Sequence, residues 1–151
     1  MTRSDARELV VHLIYELDYT GGSPEEAINT RLDREYCKDL AQENAIYAEH
    51  PTAKNMEYIR GCVEGVCAHA QELDGLISKN SIGWSLHRIS RLVKAALRLA
   101  IYEILYVEDV PTKVAINECV ELTRKYEDED VVSFVNGVLG SVVHSLEEPE
   151  K

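Results

Sequence analysis

The chain has 151 residues, enough for one domain, and its 45 % hydrophobic content excludes a disordered composition. Its 27 acidic and 16 basic residues give a formal net charge of −11, which argues against nonspecific nucleic-acid binding by the chain alone. No run approaches the roughly 18 apolar residues of a membrane span, and the N-terminus lacks the apolar middle of a signal peptide. We therefore expect a cytoplasmic protein, in which any nucleic-acid role depends on a local basic patch or a basic partner.

The N-terminal third predicts two helices. A period of 3.6 residues first appears in the apolar positions Val10, Leu13, Ile14 and Leu17. It predicts an amphipathic helix from about residue 4 to 19. Ser23, followed by Pro24 and by Glu26 three positions later, has the pattern of a capping box, so a short second helix is expected. Residues 31–52 are polar and mixed, and they predict no clear element.

The remainder of the chain predicts four more helices. Apolar residues step by three and four at Ile59, Cys62, Val63, Val66, Ala70, Leu73 and Ile77, which predicts one long helix from about residue 53. Residues 92–107 are apolar almost all round, as is typical of the central helix of a bundle. Pro111 opens the next helix, and the acidic residues 127–130 open the last one. The pattern predicts about six helices in one compact bundle.

The cysteines and histidines predict neither a metal site nor a catalytic centre. Cys62 and Cys67 lie five residues apart on a predicted helix, which turns their side chains about 140° away from each other. The five histidines are scattered, and the sequence contains no phosphate-binding loop, dinucleotide-binding glycine motif, zinc-protease motif or serine-hydrolase motif. We therefore predict no catalytic residue, no metal and no cofactor.

A row of basic residues is the first candidate for phosphate contact. Arg88, Arg91, Lys94 and Arg98 follow one another at intervals of three, three and four, so they project from one side of a helix. The alternative is a solvated face, with Arg98 turned inward to pair with Glu103 or another carboxylate.

A second candidate lies on the first helix. Arg3 and Arg7 are one turn apart, and Tyr15 lies two turns beyond Arg7 on roughly the same side. Guanidinium groups beside an aromatic ring suit single-stranded RNA, because phosphates are clamped while bases stack. Residues 1–20 nevertheless carry four acids against these two arginines.

Several motifs, in the same order and at the same separation, resemble the NusB family. Residues 110–118 (VPTKVAINE) and 134–139 (FVNGVL) look like the family signature. Residues 97–103 (LRLAIYE) are similar to its central helix, and residues 83–89 to the segment before it. Residues 5–21 resemble its first helix, whereas residues 22–52 match poorly.

The resemblance implies an all-α fold of six to seven helices, in two packed three-helix subdomains at about residues 4–80 and 84–147. It implies a non-enzymatic transcription antitermination factor that binds the boxA element of ribosomal RNA leader transcripts. The expected partners are NusE, a small-subunit ribosomal protein, and the RNA polymerase elongation complex with other Nus factors. No membrane is involved. Some relatives dimerise, so a homodimer is left open.

The resemblance also implies contact residues. Arg7 matches the arginine at the end of the family's basic N-terminal segment, and Lys113 matches the lysine of its Pro-x-Lys-Val-Ala run; both are expected to contact RNA. Tyr15, Asp130 and Phe134 match residues of the partner surface, and the two aromatic residues are expected to touch RNA as well. A core position for Phe134 is an equal alternative, because it sits within an apolar periodicity.

Two departures from the family pattern bear on RNA affinity. Only Arg3 and Arg7 stand where relatives carry an arginine-rich run, and Val93 stands where relatives often have an acidic residue. The leading hypothesis is an acidic platform whose basic partner supplies the missing phosphate neutralisation. Its main rival is a protein–protein scaffold that has lost RNA binding. An accessory domain of an RNA-modifying enzyme is disfavoured, because the chain ends at Lys151 without a cofactor-binding half.

Overall fold

The computed structural model describes residues 1–81 and 89–147. Within these ranges the chain contains helices and no strand, which confirms the all-α prediction. The helices are α1 (Arg3–Thr20), α2 (Pro24–Arg31), α3 (Arg34–Ala41), α4 (Ala53–Ala68), α5 (Ala70–Lys79), α6 (Arg91–Tyr106), α7 (Thr112–Tyr126) and α8 (Glu129–Glu147), with a 3₁₀ turn at Ala45–Tyr47. In the described ranges, none of these helices is long and apolar enough to cross a membrane.

Contacts group the chain into two units, Met1–Ala68 and His69–Lys151. The first unit is built around α1, which packs on α4 and α2. Helix α1 begins at a capping box formed by Thr2 and Asp5 and ends at Gly21, whose φ of 68° is left-handed and therefore suits glycine. The boundaries predicted for the two subdomains, near residues 80 and 84, stay a prediction.

The predicted long helix from residue 53 to 77 is wrong, because it is two helices separated at His69. The apolar stripe is buried as expected, except that Ala70 is only partly covered. Helix α4 packs on α1 and α2, whereas α5 packs on α6 and α8. The His69 ring stacks on Tyr106, with ring centroids 4.3 Å apart. The stripe therefore serves two different cores, a division that the helical period cannot reveal.

Residues 31–52 contain α3 and the 3₁₀ turn, which the apolar pattern did not predict. Their helical starts depend on side-chain caps: Asp33 accepts a hydrogen bond from the backbone N–H of Tyr36, and Asn44 accepts one from that of Ile46. Helix α3 has no buried residue. This segment and the division at His69 raise the number of α-helices in the described ranges to eight, above the six to seven predicted.

In the second unit, α6 is the central helix, as predicted. It contacts α5, α7 and α8, and nearly all residues from Val93 to Ile101 are buried. Ser90 caps its start by accepting a hydrogen bond from the backbone N–H of Val93 at 3.2 Å. Helices α7 and α8 follow, and two residues connect them to each other.

Candidate nucleic-acid interface

The two N-terminal arginines converge on one aromatic ring. The Arg3 guanidinium carbon lies 4.3 Å from the centroid of the Tyr58 ring, and that of Arg7 lies 5.7 Å from it. The Nε of Arg3 also donates a hydrogen bond to Asn55 Oδ1 at 3.1 Å. Since both Tyr58 and Asn55 belong to α4, the packing of α1 on α4 positions the pair. The sequence alone does not identify Tyr58 or Asn55, because neither is near the arginines along the chain.

The same two arginines differ in accessibility. Arg3 is exposed, whereas Arg7 is only 8 % exposed. Tyr15, further along α1, is 42 % exposed. The structure therefore presents Arg3 and Tyr15 at the surface, and a contact between Arg7 and RNA stays a prediction.

One carboxylate, that of Asp74, faces two of the basic residues in the row on α6. Arg98 is 7 % exposed, and its Nε and Nη2 donate to the two carboxylate oxygens of Asp74, each at 2.7 Å. Lys94 Nζ lies 3.9 Å from the same carboxylate. The inward alternative is therefore confirmed for Arg98, with Asp74 as the carboxylate. Arg91 is exposed in the first turn of α6, while Arg88 lies outside the described residues.

The remaining predicted residues lie on α7 and α8. Lys113 is exposed and lines an open groove of about 410 Å³ together with Asn117 of the same helix and Asn136 of α8. Asp130 is exposed in the first turn of α8, and Phe134 is half-buried, between the two positions considered for it. The predicted residues thus belong to two groups, Arg3, Arg7 and Tyr15 in the first unit and Arg91, Lys113, Asp130 and Phe134 in the second.

A buried polar network, missed by the sequence analysis, lies beneath α1. Glu8 is 3 % exposed and accepts a hydrogen bond from Asn44 Nδ2 at 3.3 Å. One turn on, His12 Nδ1 lies 2.7 Å from the hydroxyl oxygen of Tyr47. Burial raises the pKa of Tyr47 to about 12, although the nearby Arg31 opposes the shift, so the hydroxyl is neutral at pH 7. The network fixes the segment that follows α3 against α1.

The thiols and carboxylates do not assemble a reactive centre in the part of the chain that the structure describes. No group of three or more His, Cys, Asp or Glu side chains there could hold a metal ion. Burial raises the pKa of Cys119 to about 12, and burial together with Asp33 raises that of Cys37. Both thiols are therefore protonated at neutral pH and are poor nucleophiles.

Comparison with known proteins identifies the family. The sequence profile of the NusB family matches residues 4–144. The chain is 43 % identical to the transcription antitermination protein NusB of Acetivibrio thermocellus, over 95 % of this chain and 89 % of that protein. It is similar to the structure of T. maritima NusB at 28 % identity, with a TM-score of 0.77 and coverage of 95 % and 92 % of the two chains.

A further solved structure contains antitermination factors NusB and NusE in complex with double-stranded RNA. It is similar at 26 % identity with a TM-score of 0.73, over 95 % of this chain and 96 % of that one. These relatives are not enzymes, which confirms the prediction of a non-enzymatic protein. On the match of its sequence along nearly the whole chain, the protein belongs to the NusB family.

Proposed function

We propose that this NusB-family transcription antitermination factor binds boxA-type single-stranded RNA jointly with a NusE protein. The complex acts in the cytoplasm, on the RNA polymerase elongation complex that transcribes ribosomal RNA. The observation that carries this proposal is the similarity to a structure in which a NusB protein is bound to NusE and RNA. That RNA is double-stranded, and the preference for a single strand is argued from this chain's own surface.

The exposed side chains of α1 favour an unpaired strand. Tyr15 offers a ring on which a base can stack, and Arg3 offers a guanidinium that makes no ion pair within the described residues. Such stacking needs a base that is not held inside a duplex. We assign the RNA contacts to Arg3, Arg7, Tyr15, Arg88, Arg91, Lys113 and Phe134, and the partner contacts to Tyr15, Asp130 and Phe134.

The net charge of −11 explains why the partner is needed. Phosphate neutralisation supplies most of the affinity of a protein for nucleic acid, and here two of the basic residues of α6 already face Asp74. A basic NusE would bring the missing cations and be attracted to the acidic surface. Joint binding then follows from electrostatics, and the few exposed arginines and aromatic rings select the RNA.

An RNA titration with and without NusE tests this proposal. Fluorescence anisotropy of a labelled boxA oligonucleotide should show binding at least about tenfold tighter for the pair than for the chain alone, at salt concentrations between about 50 and 200 mM. A scrambled oligonucleotide is the control. Equal affinity with and without NusE, together with a steep salt dependence for the chain alone, would refute joint binding.

The engagement of Arg98 and Lys94 with Asp74 favours a second candidate, a scaffold that binds proteins and not RNA. The double variant Arg3→Glu/Arg91→Glu separates the two, because both side chains are exposed. RNA binding predicts a loss of RNA affinity of the NusE complex relative to Arg60→Glu/Lys79→Glu, which alters the charge equally at two other exposed positions. Equal affinities of the two variants would favour the scaffold.

A further inference from the structure

A basic pocket of about 400 Å³ lies in the first unit, away from the residues assigned above. It is lined by Arg34, Cys37, Lys38 and Ala41 of α3, and by Tyr47, Ala48 and His50 from the segment that follows. We propose that this pocket binds a phosphate group of the RNA strand, as an additional contact. The inference rests on the proposed RNA binding and extends it to α3 and the segment that follows, where no RNA contact is assigned above.

Charge is the first argument. Arg34 and Lys38 lie one turn apart on the same face of α3, and both are exposed. Neither makes an ion pair with a described residue, whereas Arg31, just before them, pairs with Glu16 at 3.1 Å. Among the lining residues that the structure describes, none is acidic. The nearby Asp33 carboxylate, which acts on Cys37, is not among the lining residues, so Arg34 and Lys38 give the pocket a local positive charge that can attract an anion.

Beside these two cations, the pocket is lined by Tyr47 and Cys37, whose side chains are uncharged and held by hydrogen bonds. The Tyr47 ring is 5 % exposed, and its hydroxyl oxygen lies 2.7 Å from His12 Nδ1. The Cys37 thiol donates a hydrogen bond to the carbonyl oxygen of Arg31 at 3.1 Å, and its raised pKa keeps it uncharged. His50 adds a ring nitrogen to the donors of Arg34 and Lys38. A rigid apolar wall with donors around it suits a phosphate that carries a sugar or base, and the volume is within the range of ligand pockets, roughly 300–1,000 Å³.

Contacts of residues 49–55 connect the pocket to Met1 and Arg3 at the start of α1. The amino group of Met1 pairs with Glu49, the neighbour of His50, so this carboxylate is already compensated. Asn55 donates to the carbonyl oxygen of Met1 at 3.0 Å and accepts from Arg3. A strand that contacts Arg3 is therefore close to the segment that carries His50. This connection favours the phosphate of an RNA strand over a free phosphate ion.

The double variant Arg34→Gln/Lys38→Gln tests the pocket in the full chain with NusE. We expect about tenfold weaker binding of the boxA oligonucleotide, and a salt slope reduced by about 0.7, the value for one single-strand phosphate contact. The matched control is Arg60→Gln/Lys79→Gln, which removes two exposed cations that make no ion pair with a described residue. Equal affinities of the two variants would overturn the pocket while RNA binding by the wild type stands. Absence of RNA binding by the wild-type pair would instead refute the proposed function.

Nuclear magnetic resonance distinguishes a phosphate of the RNA strand from a free phosphate ion. In the wild type, the RNA should shift the backbone amide signals of residues 34–50, and the Gln double variant should lose these shifts. Inorganic phosphate alone should shift them only at far higher concentration. Shifts with inorganic phosphate but none with RNA would identify a site for a free anion and contradict the proposal.

Discussion

The arginines of α1 and α6 look alike in the sequence and are used differently in the structure. On α6, Arg98 is neutralised by a bidentate pair with Asp74, and Lys94 lies near the same carboxylate. On α1, the exposed Arg3 lies over the Tyr58 ring, which attracts a cation without cancelling its charge. Helical spacing predicts that the members of such a row share a side. The residue across the interface decides whether their charge remains available to a ligand.

The sharpest test of this contrast is Asp74→Asn. It removes the Asp74 charge from the buried Arg98, so we expect a loss of about 2–3 kcal/mol in the free energy of unfolding, less than for a fully buried pair because Asp74 is partly exposed. Urea unfolding followed by circular dichroism measures it. The control is Glu72→Gln at an exposed neighbouring acid, with an expected loss of about 0.5 kcal/mol or less. Equal losses in the two variants would show that the pair contributes nothing to stability.

The stability of the protein at alkaline pH depends on two buried acidic groups, the Cys119 thiol in the second unit and the Tyr47 hydroxyl in the first. The pKa of Cys119 is raised from 9.0, and that of Tyr47 from 10.0, to about 12 in each case. Between pH 9 and 12 the unfolded chain loses these protons while the folded chain keeps them, so stability is full below pH 9 and falls as the pH rises.

The slope reaches about 1.4 kcal/mol per pH unit for each group where it is ionised only in the unfolded chain. Urea unfolding between pH 8 and 11 should therefore show a shallower loss for Cys119→Ala than for the wild type. Tyr47→Phe should reduce the slope by less, because its ordinary pKa is higher. If the free energy of unfolding falls equally with pH in the wild type and in Cys119→Ala, the folded chain does not protect the thiol from ionisation.

Replacement of each N-terminal arginine by glutamine distinguishes the side chain that packs within the fold from the side chain that is accessible to RNA. Because Arg7 is 8 % exposed, we expect Arg7→Gln to lower the free energy of unfolding by about 1–2 kcal/mol. For the exposed Arg3 the expected loss is about 0.5 kcal/mol or less, with a larger effect on RNA affinity. Thermal unfolding and anisotropy report the two quantities. A reversed order would mean that exposure does not distinguish their roles.

The smallest effect is expected at Lys94, the outer cation on Asp74. Its Nζ lies 3.9 Å from the carboxylate and is partly exposed, so Lys94→Gln should change the free energy of unfolding by about 0.5 kcal/mol or less. Arg91→Gln, at an exposed position in the same row, is the comparison. A loss at Lys94 as large as that of Asp74→Asn would place the main ion pair at the lysine.

Prediction from sequence succeeded where the signal is local. Ser23 caps α2 as expected, because a cap depends on a backbone N–H only three residues away. The apolar stripe of α6 is also a local signal, and it predicted a central helix. Helix α3 was missed, since it buries no residue and therefore has no apolar period to detect.

The candidate site was less predictable than the fold. The sequence identified Arg3 and Arg7 as neighbours, but it did not identify Tyr58, which lies more than 50 residues away and holds both. It allowed Arg98 to turn inward but could not select Asp74. The basic pocket lies within residues 34–50, but it forms only because the 3₁₀ turn packs back on α3, a contact that the polar pattern of this segment does not predict.

By itself, the sequence determined the all-α class, most helix starts, the family and the acidic net charge. The tertiary structure decided that the helix stops at His69, that Asp74 neutralises Arg98, and that Arg34 and Lys38 make no ion pair with any carboxylate in residues 1–81 and 89–147. The physical reason is range: helix propensity, capping and amphipathic spacing act within about four residues. Whether a charged side chain is neutralised or remains available to a ligand depends on which side chain lies opposite it in the folded protein.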